Sequence, residues 1–322
     1  MKALQIIEPG RAEMIDAPMP RAGAGEVVVQ VQAVSTCPHW DMHILEGKPM
    51  FGDIPNTYPQ PPGQPGHEMA GIVTEIGAGI TDFSEGDRVT AWRDPGHEQP
   101  GCYAEYVAFD PANLIAIPED GSFQAFAPFE LAMCIGCSFL DILNTQSLQG
   151  KRVGIAGLGP SGLLAAQFAK AEGAVGVTGL EVNPGRAEAA AHFGVDRVVD
   201  PRSCKPGDLA PGDERAFDVS LDCAGNPAAM DYLLQATKEI VAIFAVQREP
   251  YTFPPGSEGL KLFGYIGHSR RAAEYAMDKV KTGAVVPGDL IGATMPLSRY
   301  NEAVGALQLQ EVLKVCFTPC SD

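Results

Sequence analysis

Two groups of residues in this 322-residue chain have the types and spacing to do chemistry. The first is Gly157-Leu158-Gly159-Pro160-Ser161-Gly162, a G-x-G-x-x-G string after the apolar run KRVGIA and before an Ala- and Leu-rich segment. In a strand–turn–helix context, Gly157 would make the tight turn and Gly159 would let backbone approach a pyrophosphate. Gly162 would let the helix that opens at Pro160 and Ser161 pack closely on the strand, with the phosphates at its positive end. Glu181 follows Gly162 by 19 positions, at the end of the next strand-like run. A carboxylate there accepts hydrogen bonds from ribose hydroxyls and repels a 2′-phosphate, which favours NAD over NADP. Arg186, five residues on, is the feature that would serve NADP instead.

The second group is Cys37, His67, Glu68 and Cys134. Thiolate, imidazole and carboxylate are the usual zinc ligands, and a catalytic zinc keeps one position open for substrate. His67 and Glu68 are adjacent in PGHEMAG, so both can ligate only where the chain turns irregularly, because neighbours on a strand point to opposite faces. Cys134 lies in LAMCIGCSF, with Cys137 three residues on and Glu130 four residues back. On a helix all three share one face.

Two kinds of element must position these groups. Up to about residue 120 the chain reads as β-rich. GEVVVQVQAV (25–34), GIVTEIGAGI (71–80) and CYAEYVAFD (102–110) are strand-like, and FSEGDRV (83–89) carries a turn. Residues 47–66, rich in Pro and Gly, read as a surface loop. From residue 124 a long apolar run with helical spacing gives way to strands near 151–157, 175–181, 197–200, 217–225 and 239–246. Helices at 161–174 and 186–194 alternate with them. That alternation predicts an α/β fold with a doubly wound parallel sheet. The last forty residues return to strand and turn character, and no internal repeat is visible.

The net charge of −17 argues against nucleic-acid and anionic-membrane partners, which need basic surface. No uninterrupted apolar stretch reaches the roughly 20 residues of a bilayer span. The N-terminal MKALQIIEPG lacks a signal peptide's apolar core, so a cytoplasmic location is expected. Eight cysteines in 322 residues are too sparse for a disulfide scaffold, and Cys204, Cys316 and Cys320 read as buried or incidental thiols.

With these residues in place, the chain resembles the zinc-dependent medium-chain dehydrogenase/reductase superfamily of alcohol and polyol dehydrogenases. GHEMAGIVTEIGAGI fits that family's G-H-E-x2-G-x5-G-x2-[IV] signature, and FSEGDRV, GCYAEYV, GLGPSG and FDVSLDCAGNPAAM follow in the family's order. MPLSRYNEAVGAL and VLKVCF extend the likeness to the end. The resemblance implies a β-rich GroES-like catalytic domain at 1–123, completed by 285–322. A Rossmann domain at 124–284 is inserted between, with the active site in the cleft. It implies Cys37 and His67 as zinc ligands, with Glu68 a ligand or exchanging with water. LAMCIGCSF resembles L-C-A-G-x-T, which places Cys134 third, with Glu130 as rival because polyol dehydrogenases often use a Glu nearby. A homodimer or homotetramer is also implied.

Two departures stand out. Around the first ligand the family reads C-G-[ST]-D-x-H, whereas this chain has CPHWDMH. The relaying hydroxyl is missing and Asp41 and His43 come one position late, so His39 or His43 would relay the proton. Residues 90–125 contain only Cys102, where many members carry four cysteines for a structural zinc. One catalytic zinc and no structural zinc is the expectation.

The function implied is hydride transfer between NAD and a small alcohol, polyol or matching carbonyl compound, with catalysis resting on Cys37, His39, His43, His67 and Glu68. A zinc-free, NADPH-dependent quinone or enoyl reductase of the same fold is the alternative, and such proteins usually lack the Cys-His-Glu set. A nucleotide-binding protein without catalysis is a third reading. Loops at 38–60 and the segment 247–258 would shape the substrate pocket, and Trp40 and Trp92 could line it. His97 and Glu98 read as surface residues, and His268 and Arg270 as neighbours of the nicotinamide end.

Overall fold

A computed structural model of the chain describes residues 1–50, 54–209, 215–253 and 259–321. Parts of both pocket-shaping segments, 51–53 and 254–258, lie outside the described residues. Two compact units emerge: residues 1–131 with 287–322, and residues 132–286. The sequence places the borders at 123/124 and 284/285. The first border moves because one continuous helix begins in the first unit and ends in the second.

The first unit is built around a Val-rich strand. After the antiparallel pair β1 (Lys2–Glu8) and β2 (Arg11–Asp16), strand β3 (Val27–Ser35) buries Val27, Val29 and Val31 completely. It is followed by α1 (Pro38–Leu45), then β4 (Glu68–Ile76), β5 (Arg88–Ala91), β6 (Tyr106–Phe109) and β7 (Leu114–Ala116). Helix α1 was read from sequence as loop. Pro38, whose fixed φ suits a first helical position, starts it.

Helices α2 (Phe123–Phe126) and α3 (Phe129–Thr145) follow. Contrary to the sequence expectation, the span Phe123–Thr145 is long and apolar enough to cross a bilayer. However, 83% of its most apolar window is buried, as in a core helix of a globular protein.

The second unit alternates strands and helices: β8 (Arg152–Ala156), α4 (Pro160–Ala171), β9 (Gly176–Leu180), α5 (Pro184–Ala189), β10 (Arg197–Val199), β11 (Phe217–Asp222), α6 (Pro227–Ala236), β12 (Thr237–Ile243), β13 (Lys261–Gly264) and α7 (Arg270–Lys281). Its strands pair in parallel in the order β10-β9-β8-β11-β12-β13. That is the dinucleotide-binding order, with the switch of direction beside β8. Residues Leu163, Leu164 and Phe168 of α4 are fully buried.

The chain then returns to the first unit with β14 (Ile291–Met295), α8 (Tyr300–Gln308) and β15 (Lys314–Phe317). Helix α8 is a second element that sequence reading took for strand and turn. Strand β15 pairs antiparallel with β3, so the last residues of the chain close the sheet β14-β15-β3-β4-β5-β7, with β6 also on β3.

Candidate metal centre and dinucleotide site

Strand register explains why distant donors meet in the first unit. Ser35, the last residue of β3, pairs with Glu68, the first of β4. Cys37 therefore stands just past one strand end and His67 just before the other. Cys316 of β15 also pairs with Ser35, which carries Lys314 to the same end of the sheet. The irregular turn required for adjacent donors is present, because His67 precedes the strand that Glu68 opens.

Cys37, His67 and Glu68 each present a ligand atom, and these atoms lie within 4.8 Å of one another. The His67 ring is oriented by its Nδ1, 2.8 Å from the Pro65 carbonyl oxygen, which leaves Nε2 for the thiol side. A backbone carbonyl on the far imidazole nitrogen is the usual way to fix a metal-binding histidine. Burial works against charge on His67. The hydrogen bond and charge of Cys37, with the Glu130 and Glu68 carboxylates, outweigh it and hold the imidazole well above its ordinary range. A thiol, a half-buried imidazole and a buried carboxylate whose ligand atoms converge are suited to a divalent cation, so the donor set fits zinc.

Glu68 is not a simple ligand. It is fully buried, and its two oxygens lie 2.6 and 2.7 Å from Lys314 Nζ, also fully buried. Ser35 Oγ donates to Glu68 at 2.6 Å, and Lys314 donates to the Thr36 carbonyl at 2.6 Å. Burial pushes the Glu68 carboxyl up, against the pull of Lys314 and His67. Lys314 was missed by sequence reading, although a lysine inside the apolar run VLKVCF is itself a sign of a buried charge seeking a partner.

Of the four expected metal donors, three thus gather in the first unit. Cys134 belongs to the second unit, where its sulfur accepts a hydrogen bond from the Tyr265 hydroxyl at 2.9 Å. A nitrogen of exposed His268 lies within 4.8 Å of it. Its rival Glu130 is buried in the first turn of α3 and belongs to the first unit, where its charge acts on both His67 and Glu68.

Helix α1 carries the candidate proton carriers. His39 and His43, one turn apart, have ring centroids 4.5 Å apart. Trp40 between them meets the His67 ring edge-on at 5.9 Å and lies against His97 at 4.5 Å. His97 is exposed, as the sequence predicts for a surface residue, and its ring also lies against Trp40. Trp92 is committed elsewhere, its indole N–H donating to the Ala112 carbonyl at 2.9 Å. Asp41, on the buried side of α1, accepts hydrogen bonds from the hydroxyls of Tyr103 (2.8 and 2.9 Å) and Tyr300 (2.9 Å). Burial pushes its carboxyl up to about 6, against the two tyrosines and His67.

In the second unit the glycine string lies between β8 and α4. Gly157 has φ +83°, which a side chain would strain. A Cβ on Gly162 would fall 1.9 Å from the Gly157 carbonyl oxygen, so close packing of turn and helix requires glycine. At Gly159, by contrast, the nearest atom would be Arg186 Nη1 at 3.8 Å. The space there is open, and Gly159 caps α4 with no side-chain hydrogen bond to the helix's first amides. An open space before uncapped N–H groups fits a dinucleotide's phosphates.

Glu181 does more than face a ribose. Its Oε2 accepts from Leu158 N and its Oε1 from Val182 N and Asn183 N, each at 2.8 Å, which ties the end of β9 to the glycine turn. Gly157, Gly159, Glu181, Arg186 and Arg202 line one cavity of about 450 Å³. Pro160 and Ser161 are the first two residues of α4. Arg202 escaped the sequence reading. It is paired with Asp200 at 2.6 Å.

Comparison with known proteins points to one family along most of the chain. A family model described as alcohol dehydrogenase GroES-like domain matches residues 23–119, and one described as zinc-binding dehydrogenase matches residues 160–281. An alcohol dehydrogenase of Rhizobium meliloti is 27% identical over 332 residues, covering 95% of this chain and 88% of that one. A sorbitol dehydrogenase of Halalkalibacterium halodurans is 28% identical over 356 residues, covering 99% of each. The structure of 2R,3R-butanediol dehydrogenase from Bacillus subtilis superposes with a TM-score of 0.87 at 23% identity, covering 99% of each chain.

Proposed function

The chain belongs to the zinc-dependent medium-chain dehydrogenase/reductase superfamily, and on that premise we propose that it transfers hydride between NAD and an alcohol or polyol, or the matching carbonyl compound. The observation that carries this reading is the meeting of Cys37, His67 and Glu68 within 4.8 Å, with the His67 ring oriented by Pro65.

Bound zinc would supply Lewis-acid polarisation of the substrate oxygen, and bound NAD the hydride acceptor. Cys37 and His67 would hold the metal. Cys134 or Glu130, one turn apart on α3, would close the set, and the Glu130 carboxylate is the one whose charge acts on His67 and Glu68. Glu68, held by Lys314, would be the carboxylate that approaches and withdraws. With Cys102 the only cysteine in 90–125, one zinc per chain is expected.

His39 and His43 would take the hydroxyl proton and pass it along α1, imidazole to imidazole, in place of the missing hydroxyl. In the second unit, the open face at Gly159 and the first amides of α4 would hold the pyrophosphate. The Glu181 carboxylate would disfavour a 2′-phosphate, which makes NAD the better cofactor. Arg186 would lie beside the adenosine ribose.

The test is a panel of alcohols and polyols assayed with NAD and with NADP on zinc-loaded protein. Turnover with NAD exceeding that with NADP supports the reading. Absence of turnover with every alcohol, in protein that binds nucleotide and zinc, would overturn it.

A further inference from the structure

Beside the metal centre, the first unit contains a cavity of about 260 Å³ whose chemistry points to a particular kind of ligand group. Trp40 and Pro65 both line it. They are the ring edge-on to His67 and the carbonyl that orients His67. The cavity is therefore one side chain away from the candidate metal ligand.

Its polar lining includes Asn56, Thr57, Gln60, Gln64, His97 and Glu98. Gln64, 4% exposed, donates from Nε2 to the carbonyls of Gly96 (3.1 Å) and Gln99 (2.9 Å). Two carbonyls can be met only by an amide NH2, so the orientation of this side chain is fixed by chemistry. Gln60, 9% exposed, likewise donates from Nε2 to the Thr57 carbonyl at 2.6 Å. Among the described residues nothing donates to either glutamine's Oε1, and neither oxygen is walled off without a partner. Two nearly buried glutamines thus line the cavity, each with an amide oxygen that has accepting capacity to spare. Glu98 adds a carboxylate to the same lining; among its described residues there is no lysine or arginine, and the imidazole of His97 is held 3.2 Å from the Asp94 carboxylate.

We infer that Gln60, Gln64 and Glu98 form a specificity-determining subsite that receives neutral, hydroxyl-bearing parts of the substrate and rejects anionic ones. The inference rests on the alcohol-oxidising function proposed above and deepens it. Hydroxyl groups donate to the two glutamine oxygens, and the face of Trp40 covers the carbon chain between them. A phosphate or carboxylate brings only acceptors, so it leaves both oxygens unmet and faces Glu98 with like charge. A site built to bond a substrate hydroxyl discriminates strongly against ligands that cannot fill it.

The experiment pairs kinetics with equilibrium binding on zinc-loaded protein, using sorbitol, sorbitol 6-phosphate and 1-propanol as probes. In wild type, kcat/KM for sorbitol exceeds that for its phosphate at least ~10²-fold. Gln64→Leu lowers the sorbitol-to-propanol selectivity ratio about tenfold, and Glu98→Lys narrows the sorbitol-to-phosphate ratio about tenfold. Because Gln64 also ties the 96–99 loop, Glu98→Lys at the exposed rim keeps the test independent of folding. Calorimetric titration with sorbitol gives a readout that does not need turnover. Binding by wild type that weakens in Gln64→Leu supports the subsite even if no alcohol is oxidised. Unchanged ratios in both variants, or equal sorbitol binding in wild type and Gln64→Leu, would overturn it.

Discussion

Lys314 and Glu68, 246 positions apart in the chain, form a fully buried ion pair with Nζ 2.6 and 2.7 Å from the two carboxylate oxygens. The pair joins β15 to β4, the strand that follows His67. Removing one partner leaves a buried charge without compensation, which costs about 3–5 kcal/mol. Lys314→Met should therefore destabilise the protein by that order, while Lys314→Met combined with Glu68→Gln should lose clearly less. Urea unfolding of the two variants decides it. Equal losses would mean that the pair is not coupled.

Asp41 makes stability depend on pH. Its folded carboxyl is pushed up to about 6 by burial, despite Tyr103 and Tyr300, whereas an unfolded aspartate titrates near about 3.9. The folded state therefore binds the proton more tightly. The stabilisation this brings is complete below the unfolded value and disappears as pH rises through about 6. The two-unit difference corresponds to roughly 3 kcal/mol. For metal-free protein, the unfolding free energy of wild type minus that of Asp41→Asn should fall by that order between about pH 4 and pH 6.5. Parallel pH profiles would contradict the assignment.

The glycine turn gives a contrasting pair of substitutions. Gly159→Ala meets nothing closer than 3.8 Å and should fold normally, yet weaken NAD binding about tenfold or more by filling the phosphate space. Gly162→Ala drives a methyl to 1.9 Å from the Gly157 carbonyl and should destabilise the second unit by about 1–3 kcal/mol. Thermal melts and NAD titrations of the two variants separate the effects. Similar melting temperatures would sink the packing argument.

Among the described residues β13 is the outermost strand of the parallel sheet, and Leu262 within it and Ile266 two residues beyond it are 37% and 75% exposed. An unpaired edge with apolar side chains invites pairing with a second copy. Wild type should run as a dimer or larger in light scattering, and Ile266→Arg should shift it toward monomer. A monomeric wild type would remove this edge as the subunit contact.

Local pattern made much of this legible. The G-x-G-x-x-G string was readable because strand, turn and helix are contiguous, and the strand–helix alternation after residue 150 implied the parallel sheet. The Cys37, His67 and Glu68 cluster was readable through its donor types. Its coherence comes from a register that no local window contains, with Ser35 opposite both Glu68 and Cys316. For the same reason Lys314, Tyr103 and Tyr300 stayed hidden, since each acts across more than 60 positions of chain. Helix α1 was missed because CPHWDMHIL is short and lacks a clean apolar stripe. What holds it is tertiary: Ile44 and Leu45 enter the core, and two tyrosines bond to Asp41.

The most direct test of the central claim is zinc content per chain by elemental analysis of protein purified without chelator, with Cys37→Ser alongside. The account predicts about one zinc per chain in wild type. The variant should lose the metal and alcohol turnover while still binding NAD. Wild-type protein that oxidises alcohols with NAD but contains no stoichiometric metal, or a Cys37→Ser variant that retains both zinc and activity, would contradict it.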